Sequence, residues 1–103
     1  MTLIEFLRLP LEDKINGVWL SGTEGEGEYI EFYKSGQIYV HCFFYNGNRH
    51  GEYIRGYSDG KQWEHSHYKN GERNGEYKYW YENSTLVEHS LYENGKIIKD
   101  YLK

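Results

Sequence analysis

The chain repeats itself every 24 residues over most of its length, and this repeat constrains the fold more than any other feature. Several columns of identical or similar residues recur at that spacing without a gap. They are Gly27-Glu28-Tyr29, Gly51-Glu52-Tyr53 and Gly75-Glu76-Tyr77; Tyr33, Tyr57 and Tyr81; Gly36, Gly60 and Ser84; His41, His65 and His89; and Asn46-Gly47, Asn70-Gly71 and Asn94-Gly95. A fixed period of this length is typical of architectures in which each unit packs against its neighbours.

The repeat divides the chain into units that each resemble a β-hairpin. Three units occupy residues 27–50, 51–74 and 75–98, and residues 99–103 form a truncated fourth. In the first unit, residues 28–33 and 37–45 are rich in Tyr, Phe, Ile and Val, and a glycine-bearing break separates them. Such segments favour strands. The fold expected is mainly β and a single domain, an antiparallel meander of repeated hairpins with about six or seven short strands.

The turns predict which residues share a sheet face. Lys34-Ser35-Gly36 and Ser58-Asp59-Gly60 have the form of three-residue hairpin loops with a left-handed glycine, and Asn83-Ser84 departs from it. If Tyr33 pairs with Gln37, then Tyr29 lies opposite His41, and the same rule predicts a Tyr–His ladder in every unit. The link from Asn46 to His50 is expected to be longer than a two-residue turn.

The first 26 residues lack the repeat. Their apolar residues form a stripe interrupted at Pro10, which predicts a short helical cap over residues 2–15, packed on the first unit. A partner-binding amphipathic segment is the alternative. Residues 21–27 are expected to form a flexible, acidic, glycine-rich loop, without the Lys-Ser/Thr of a phosphate-binding loop.

Charge and cysteine content limit the expected type of partner and the expected cellular location. Twelve Lys and Arg against sixteen Asp and Glu leave a net charge of −4, and the basic stripe of a nucleic-acid-binding protein is missing. No direct binding to nucleic acid is therefore expected. Cys42 is the single cysteine, which favours a reducing, cytoplasmic location. The apolar start is too short and too charged for a signal peptide or a membrane span.

The sequence predicts no catalytic residue, metal site or cofactor. Cys42 lies in an apolar strand, which disfavours the reactive thiolate, and Glu64 and Glu88 are spaced as the repeat demands. Equivalent histidines of successive units would lie two strands apart, roughly 9.5 Å, too far for one zinc ion. His65 and His67 share a face, but no third ligand is evident from the sequence.

Large aromatic and charged residues that the repeat does not require are the candidates for binding. Trp, Tyr and Arg dominate the energetics of protein interfaces. The predicted partner-binding residues are Arg55, Trp63, Glu64, His67, Tyr79, Trp80 and Glu88.

The pattern Gly51-Glu52-Tyr53, Tyr57-Ser58-Asp59-Gly60 and Tyr68-Lys69-Asn70-Gly71, with its two copies, resembles the MORN repeat variant of YwqK-type antitoxin proteins. The resemblance covers about three-quarters of the chain. It implies a hairpin-repeat sheet used as an interaction surface, without catalytic residues. Some proteins of that kind neutralise a toxin, and others of the wider class associate with membranes or scaffolds.

The function expected is a non-enzymatic protein-binding module that inhibits or neutralises a target protein by steric occlusion. The target would be a basic nuclease, a toxin, or a host defence effector if a phage encodes the chain, because an acidic surface suits a basic partner. MORN-like membrane or scaffold association and an aromatic-lined carbohydrate-binding module are the alternatives. A homodimer formed through the edge strand of the truncated unit is also open.

Overall fold

The structure, a computed structural model, describes Arg8 and residues 17–23 and 25–103, with Ser21 and Thr23 described by their backbone alone. Apart from Arg8, the helical cap predicted over 2–15 lies outside the described residues, as does Glu24 of the predicted acidic loop. The described residues form strands and turns and contain no helix. The strands are β1 (Val18–Thr23), β2 (Glu26–Phe32), β3 (Ile38–Tyr45), β4 (Asn48–Gly56), β5 (Gln62–Lys69), β6 (Glu72–Arg73), β7 (Gly75–Trp80), β8 (Leu86–Glu93) and β9 (Lys96–Asp100).

The strands form one open antiparallel meander, which confirms the predicted mainly β class. The order is β1-β2-β3-β4-β5-β7-β8-β9, and the two-residue β6 pairs with β5. The described part of the chain contains nine strands, where six or seven were expected. The additions are β1, which pairs with β2 where a loop was predicted over 21–27, the short β6, and β9, which begins just before the truncated unit.

The turn inside each unit follows the expected form. The amide of Tyr33 donates to the carbonyl of Gln37 at 2.9 Å, and the amide of Gly36 donates back to Tyr33. Gly36 and Gly60 have φ angles of 94° and 90°, in the left-handed region where glycine carries no Cβ penalty. Ser84 occupies the same position in the third unit at φ 69°, so the third hairpin keeps the turn with a strained residue.

A β-bulge shifts the register by one residue, and the predicted Tyr–His ladder is wrong for that reason. Glu31 pairs with Val40 but Phe32 pairs with Ile38, so Tyr39 is the extra residue of β3. Tyr29 therefore lies opposite Cys42. Because side chains alternate between faces, a one-residue shift moves every histidine away from the tyrosine it was expected to meet.

The link between units is a tight turn, and the prediction of a longer link is also wrong. Tyr45 pairs with Asn48, so Asn46 and Gly47 alone form the turn, both at positive φ (51° and 79°), as a type I′ hairpin turn requires. Beyond the turn a β-bulge follows in β4, because Phe44 pairs with Arg49 whereas Cys42 pairs with Tyr53. The register changes by two residues there, an even number, so the side chains of β4 keep their faces.

The sheet has two chemically distinct faces. On the first, the tyrosine face, Tyr53 and Tyr77 are buried and each meets a second tyrosine ring edge-on at 5.6 Å. Arg49 lies over the Tyr53 ring at 4.5 Å, and Arg73 lies over Tyr77 at 4.4 Å. On the second, the histidine face, the described apolar core is the pair Leu20 and Ile30. Stacked tyrosine and arginine thus replace a large aliphatic core on the tyrosine face.

Hydrogen bonds at the 24-residue period join each unit to the next. The hydroxyl of Tyr33 donates to the carbonyl of Gly56 at 2.9 Å, and that of Tyr57 donates to the carbonyl of Trp80 at 2.7 Å. At the other end of the sheet, each Asn-Gly turn donates to the backbone one unit earlier, as in the 2.9 Å bond from the amide of Gly71 to the carbonyl of Arg49. These contacts explain why the tyrosine and Asn-Gly columns repeat.

Candidate functional site

The seven predicted binding residues do not form one patch. Strand alternation divides them between the two faces, because His67 and Trp80 lie on the histidine face and the other five lie on the tyrosine face. The five are Arg55, Trp63, Glu64, Tyr79 and Glu88.

Arg55, Trp63 and Glu64 form a tight cluster on the tyrosine face. The Arg55 guanidinium donates two hydrogen bonds to Oε1 of Glu64, from Nη2 at 2.7 Å and from Nε at 3.1 Å, and it lies 3.9 Å above the Trp63 ring. Glu64 is only 3% exposed, and its second oxygen accepts a hydrogen bond from Ser66 at 2.9 Å. Burial lowers the pKa of Arg55, but the hydrogen bond to Glu64 and the electrostatic attraction of Glu64, Tyr53 and Tyr39 together outweigh it, and the pKa is raised overall.

The partners of the remaining tyrosine-face candidates also lie within the sheet. Glu88 accepts hydrogen bonds from Ser90 at 3.3 Å and from the hydroxyl of Tyr92 at 3.1 Å. Burial and this bond to Glu88 raise the pKa of Tyr92. The Tyr79 ring packs edge-on against Tyr81 at 6.3 Å. Most of the polar groups predicted to bind a partner are therefore engaged in holding neighbouring strands together.

The histidine face carries a ladder of Glu–His pairs that sequence reasoning missed. Oε2 of Glu28 lies 2.6 Å from Nε2 of His41, and Oε2 of Glu52 lies 2.9 Å from Nε2 of His65. In the third unit the separation between Glu76 and His89 is 3.3 Å, and this contact, with help from Lys78, lowers the pKa of Glu76. The glutamate and histidine columns were visible in the sequence, but they face each other only in the shifted register.

His67 adds a third polar side chain beside the middle pair. Its ring lies 5.3 Å from that of His65, and its Nδ1 lies 3.0 Å from the carbonyl oxygen of Glu76. Glu52 is the residue directly opposite His67 across β4 and β5. Within residues 17–23 and 25–103, these three side chains are the one group of His, Cys, Asp and Glu residues with metal-ligating geometry.

A concentration of exposed apolar side chains marks the C-terminal edge of the sheet. Among the described strands, β9 pairs only with β8. The side chains that project there, each 40–55% exposed, are those of Ile97, Ile98, Tyr101 and Leu102. Their types were readable in the sequence, but the outer position of β9 was not, because the repeat alone does not say which edge is covered.

Comparisons with known proteins add no family to this description: no family model, no curated protein and no solved structure matches the chain. In the part of the chain that the structure describes, no helix has the length and apolar character needed to cross a membrane.

Proposed function

We propose that this chain is a non-enzymatic protein-binding module of the cytoplasm, which inhibits or neutralises a target protein by covering its functional surface. The observation that carries the proposal is the exposed apolar edge at β9. Ile97 and Ile98 of β9, and Tyr101 and Leu102 in the turn that follows it, are 40–55% exposed. The outer side of β9 has no partner strand among the described residues.

An edge of this kind suits docking by strand addition. The outer backbone N–H and C=O groups of an edge strand can extend the sheet into another chain, and the flanking side chains then select the partner. Ile97 and Ile98 are adjacent, so their side chains offer apolar surface on both sides of β9. The contact would combine main-chain hydrogen bonds with apolar burial.

The seven residues predicted from sequence remain a second candidate surface. Arg55 and Glu64 already bind each other, and a partner would have to break that pair or use only its exposed rim. The edge needs no such rearrangement. For this reason the proposal assigns the first contact to β9.

The type of partner is inferred from charge and from the repeat. A net charge of −4 favours a basic target such as a nuclease or toxin, through steering of the encounter. The resemblance of the repeat to the MORN variant of YwqK-type antitoxins also supports a toxin as the target. A viral origin would make a host defence effector the target.

The test uses capture from the native cell followed by reconstitution with the purified target. Wild type, Ile98→Lys and Tyr45→Lys would each serve as bait, because Tyr45 is as exposed as Ile98 (both 55%) but lies at the end of β3. A protein captured by wild type and Tyr45→Lys, lost with Ile98→Lys, and inhibited by the purified chain supports the proposal. A complex that Ile98→Lys leaves intact would place the contact elsewhere.

The second outcome to distinguish is self-association. Light scattering after size exclusion, over a range of concentrations, reports whether Ile98→Lys converts a dimer to a monomer. If the β9 edge binds only a second copy of the chain, the inhibitory function is wrong even though the docking surface is right.

A further inference from the structure

We propose that Glu52, His65 and His67 form a binding site for a divalent transition-metal ion of the zinc type on the histidine face. One ring nitrogen of each histidine and one carboxylate oxygen of the glutamate lie within 4.8 Å of one another. Two imidazoles and one carboxylate are a ligand set that zinc accepts, with its remaining position left to water or another ligand.

The sheet register brings the three side chains together. Glu52 and His67 are directly opposite across β4 and β5, and His65 lies two residues from His67 on the same face. Directly opposite side chains start about 4.5–5.5 Å apart at Cβ, and diagonal neighbours such as Glu52 and His65 about 7–8 Å apart, still within reach of long side chains. Ligands about 2.0–2.1 Å from zinc lie roughly 3.3 Å from each other in a tetrahedral site. Oε2 of Glu52 and Nε2 of His65 are already 2.9 Å apart, so His67 is the side chain that has to move closer to the other two.

A backbone contact prepares His67 as a ligand. Its Nδ1 lies 3.0 Å from the carbonyl oxygen of Glu76, and since a carbonyl only accepts, Nδ1 carries the proton and donates it. In the neutral ring the lone pair is then on Nε2. Histidine ligands in metal sites are commonly oriented by such a hydrogen bond from the other ring nitrogen.

The repeat itself singles out this position. Each of the three units has a Glu–His pair on this face: Glu28 with His41, Glu52 with His65, and Glu76 with His89. The residue opposite the glutamate is Phe43 in the first unit and Leu91 in the third. Only the middle unit has a ligating residue, His67, at this point, so the third ligand is not a product of the repeat.

The surroundings allow an ion but keep the site open. Glu52 is 46% exposed and His65 is 35% exposed, so water can complete the coordination. Lys78 lies beside His65 on β7, but its ammonium is 3.5 Å from Glu76, which offsets its charge. The ion would link β4 to β5, and one coordination position would remain free for water or for a side chain of a partner.

Zinc titration of the purified, chelator-treated full chain at neutral pH is the direct test. Calorimetry is expected to show one Zn²⁺ per chain, and Co²⁺ in its place should give the visible d–d bands of a low-coordinate site. The His67→Leu variant, which installs the residue of the third unit, should lose at least tenfold in affinity. Zinc should raise the melting temperature of wild type but not that of His67→Leu.

Two controls use the symmetry of the repeat. The His41→Gln variant removes a histidine from the pair that has no third ligand, and should bind zinc as wild type does. The Phe43→His variant completes the same triad in the first unit and should raise the stoichiometry to two. The proposal is overturned if wild type fails to bind zinc, if His67→Leu and the alternative His67→Phe bind as tightly as wild type, or if His41→Gln abolishes binding.

Discussion

The guanidinium of Arg55 lies 2.7 Å from Oε1 of Glu64, a carboxylate that is only 3% exposed, and the two residues face each other across β4 and β5. The pair joins the strands of the middle unit on the tyrosine face. It is also the most deeply buried ion pair among the described residues.

Removing one partner of this pair should destabilise the protein strongly. Arg55→Ala leaves the Glu64 carboxylate buried with Ser66 as its remaining donor, and we expect a loss of about 2–3 kcal/mol in the free energy of unfolding, measured by urea denaturation. Lys61→Ala is the matched control, because its 3.8 Å pair with Asp59 is exposed and should contribute about 0.5 kcal/mol or less. Equal losses in the two variants would show that Glu64 is better hydrated than the structure indicates.

The third hairpin should gain stability from a glycine. Ser84 has a φ of 69° where the other units have Gly36 and Gly60. Ser84→Gly releases strain of about 1 kcal/mol, part of which is offset by the greater freedom of glycine in the unfolded chain, so a net gain of about 0.5 kcal/mol is expected. The reverse change, Gly36→Ser, should cost a similar net amount of about 0.5 kcal/mol, because a Cβ there meets no atom within 4 Å and no clash adds to the strain. Thermal unfolding of both variants measures the two effects. A lower melting temperature for Ser84→Gly than for wild type would show that Ser84 is not strained.

The tyrosine hydroxyls that join successive units should contribute more to the free energy of unfolding than a tyrosine hydroxyl at the surface does. Tyr33→Phe removes the 2.9 Å bond to the carbonyl of Gly56 and should cost about 1 kcal/mol. Tyr81 belongs to the same column but is 53% exposed, so Tyr81→Phe should change the unfolding free energy by about 0.5 kcal/mol at most. If the two variants are equally stable, the inter-unit bond contributes nothing and packing alone joins the units.

Stability should fall at alkaline pH. Burial, helped by nearby Glu64, raises the pKa of Tyr77 from 10.0 to about 12, and burial raises the pKa of the Cys42 thiol from 9.0 to about 11. From about pH 9 to 12 the unfolded chain loses protons that the folded chain retains. Each unit of increase in pH therefore lowers the free energy of unfolding. Urea midpoints at several pH values measure this slope.

A matched pair of variants separates the buried tyrosine from the exposed ones. Tyr77→Phe should flatten the fall in stability above pH 10, whereas Tyr45→Phe, at a 55% exposed position, should leave it unchanged. A slope that both variants share with wild type would show that Tyr77 ionises normally in the folded chain.

Part of the fold was readable because it depends on local chemistry. The left-handed glycines at 36 and 60 predicted the hairpin turns, and alternating aromatic and β-branched residues predicted the strands around them. The register was not readable, because the bulges at Tyr39 and near Gly51 depend on how whole strands pair. One displaced residue reverses a face, so it is the observed register that brings Glu64 to Arg55 and Trp63.

The sequence by itself determined the repeating unit, its hairpin form and the residue types available for binding. Only the tertiary structure decided which of those residues meet. His65 and His67 were visible as neighbours on one face, but Glu52 joins them only because β4 and β5 pair in the observed register. The exposure of Ile97 and Ile98 likewise depends on the edge position of β9. The physical reason is the same in both cases: contacts across a sheet are set by register and strand order, and neither depends on any single segment of the chain.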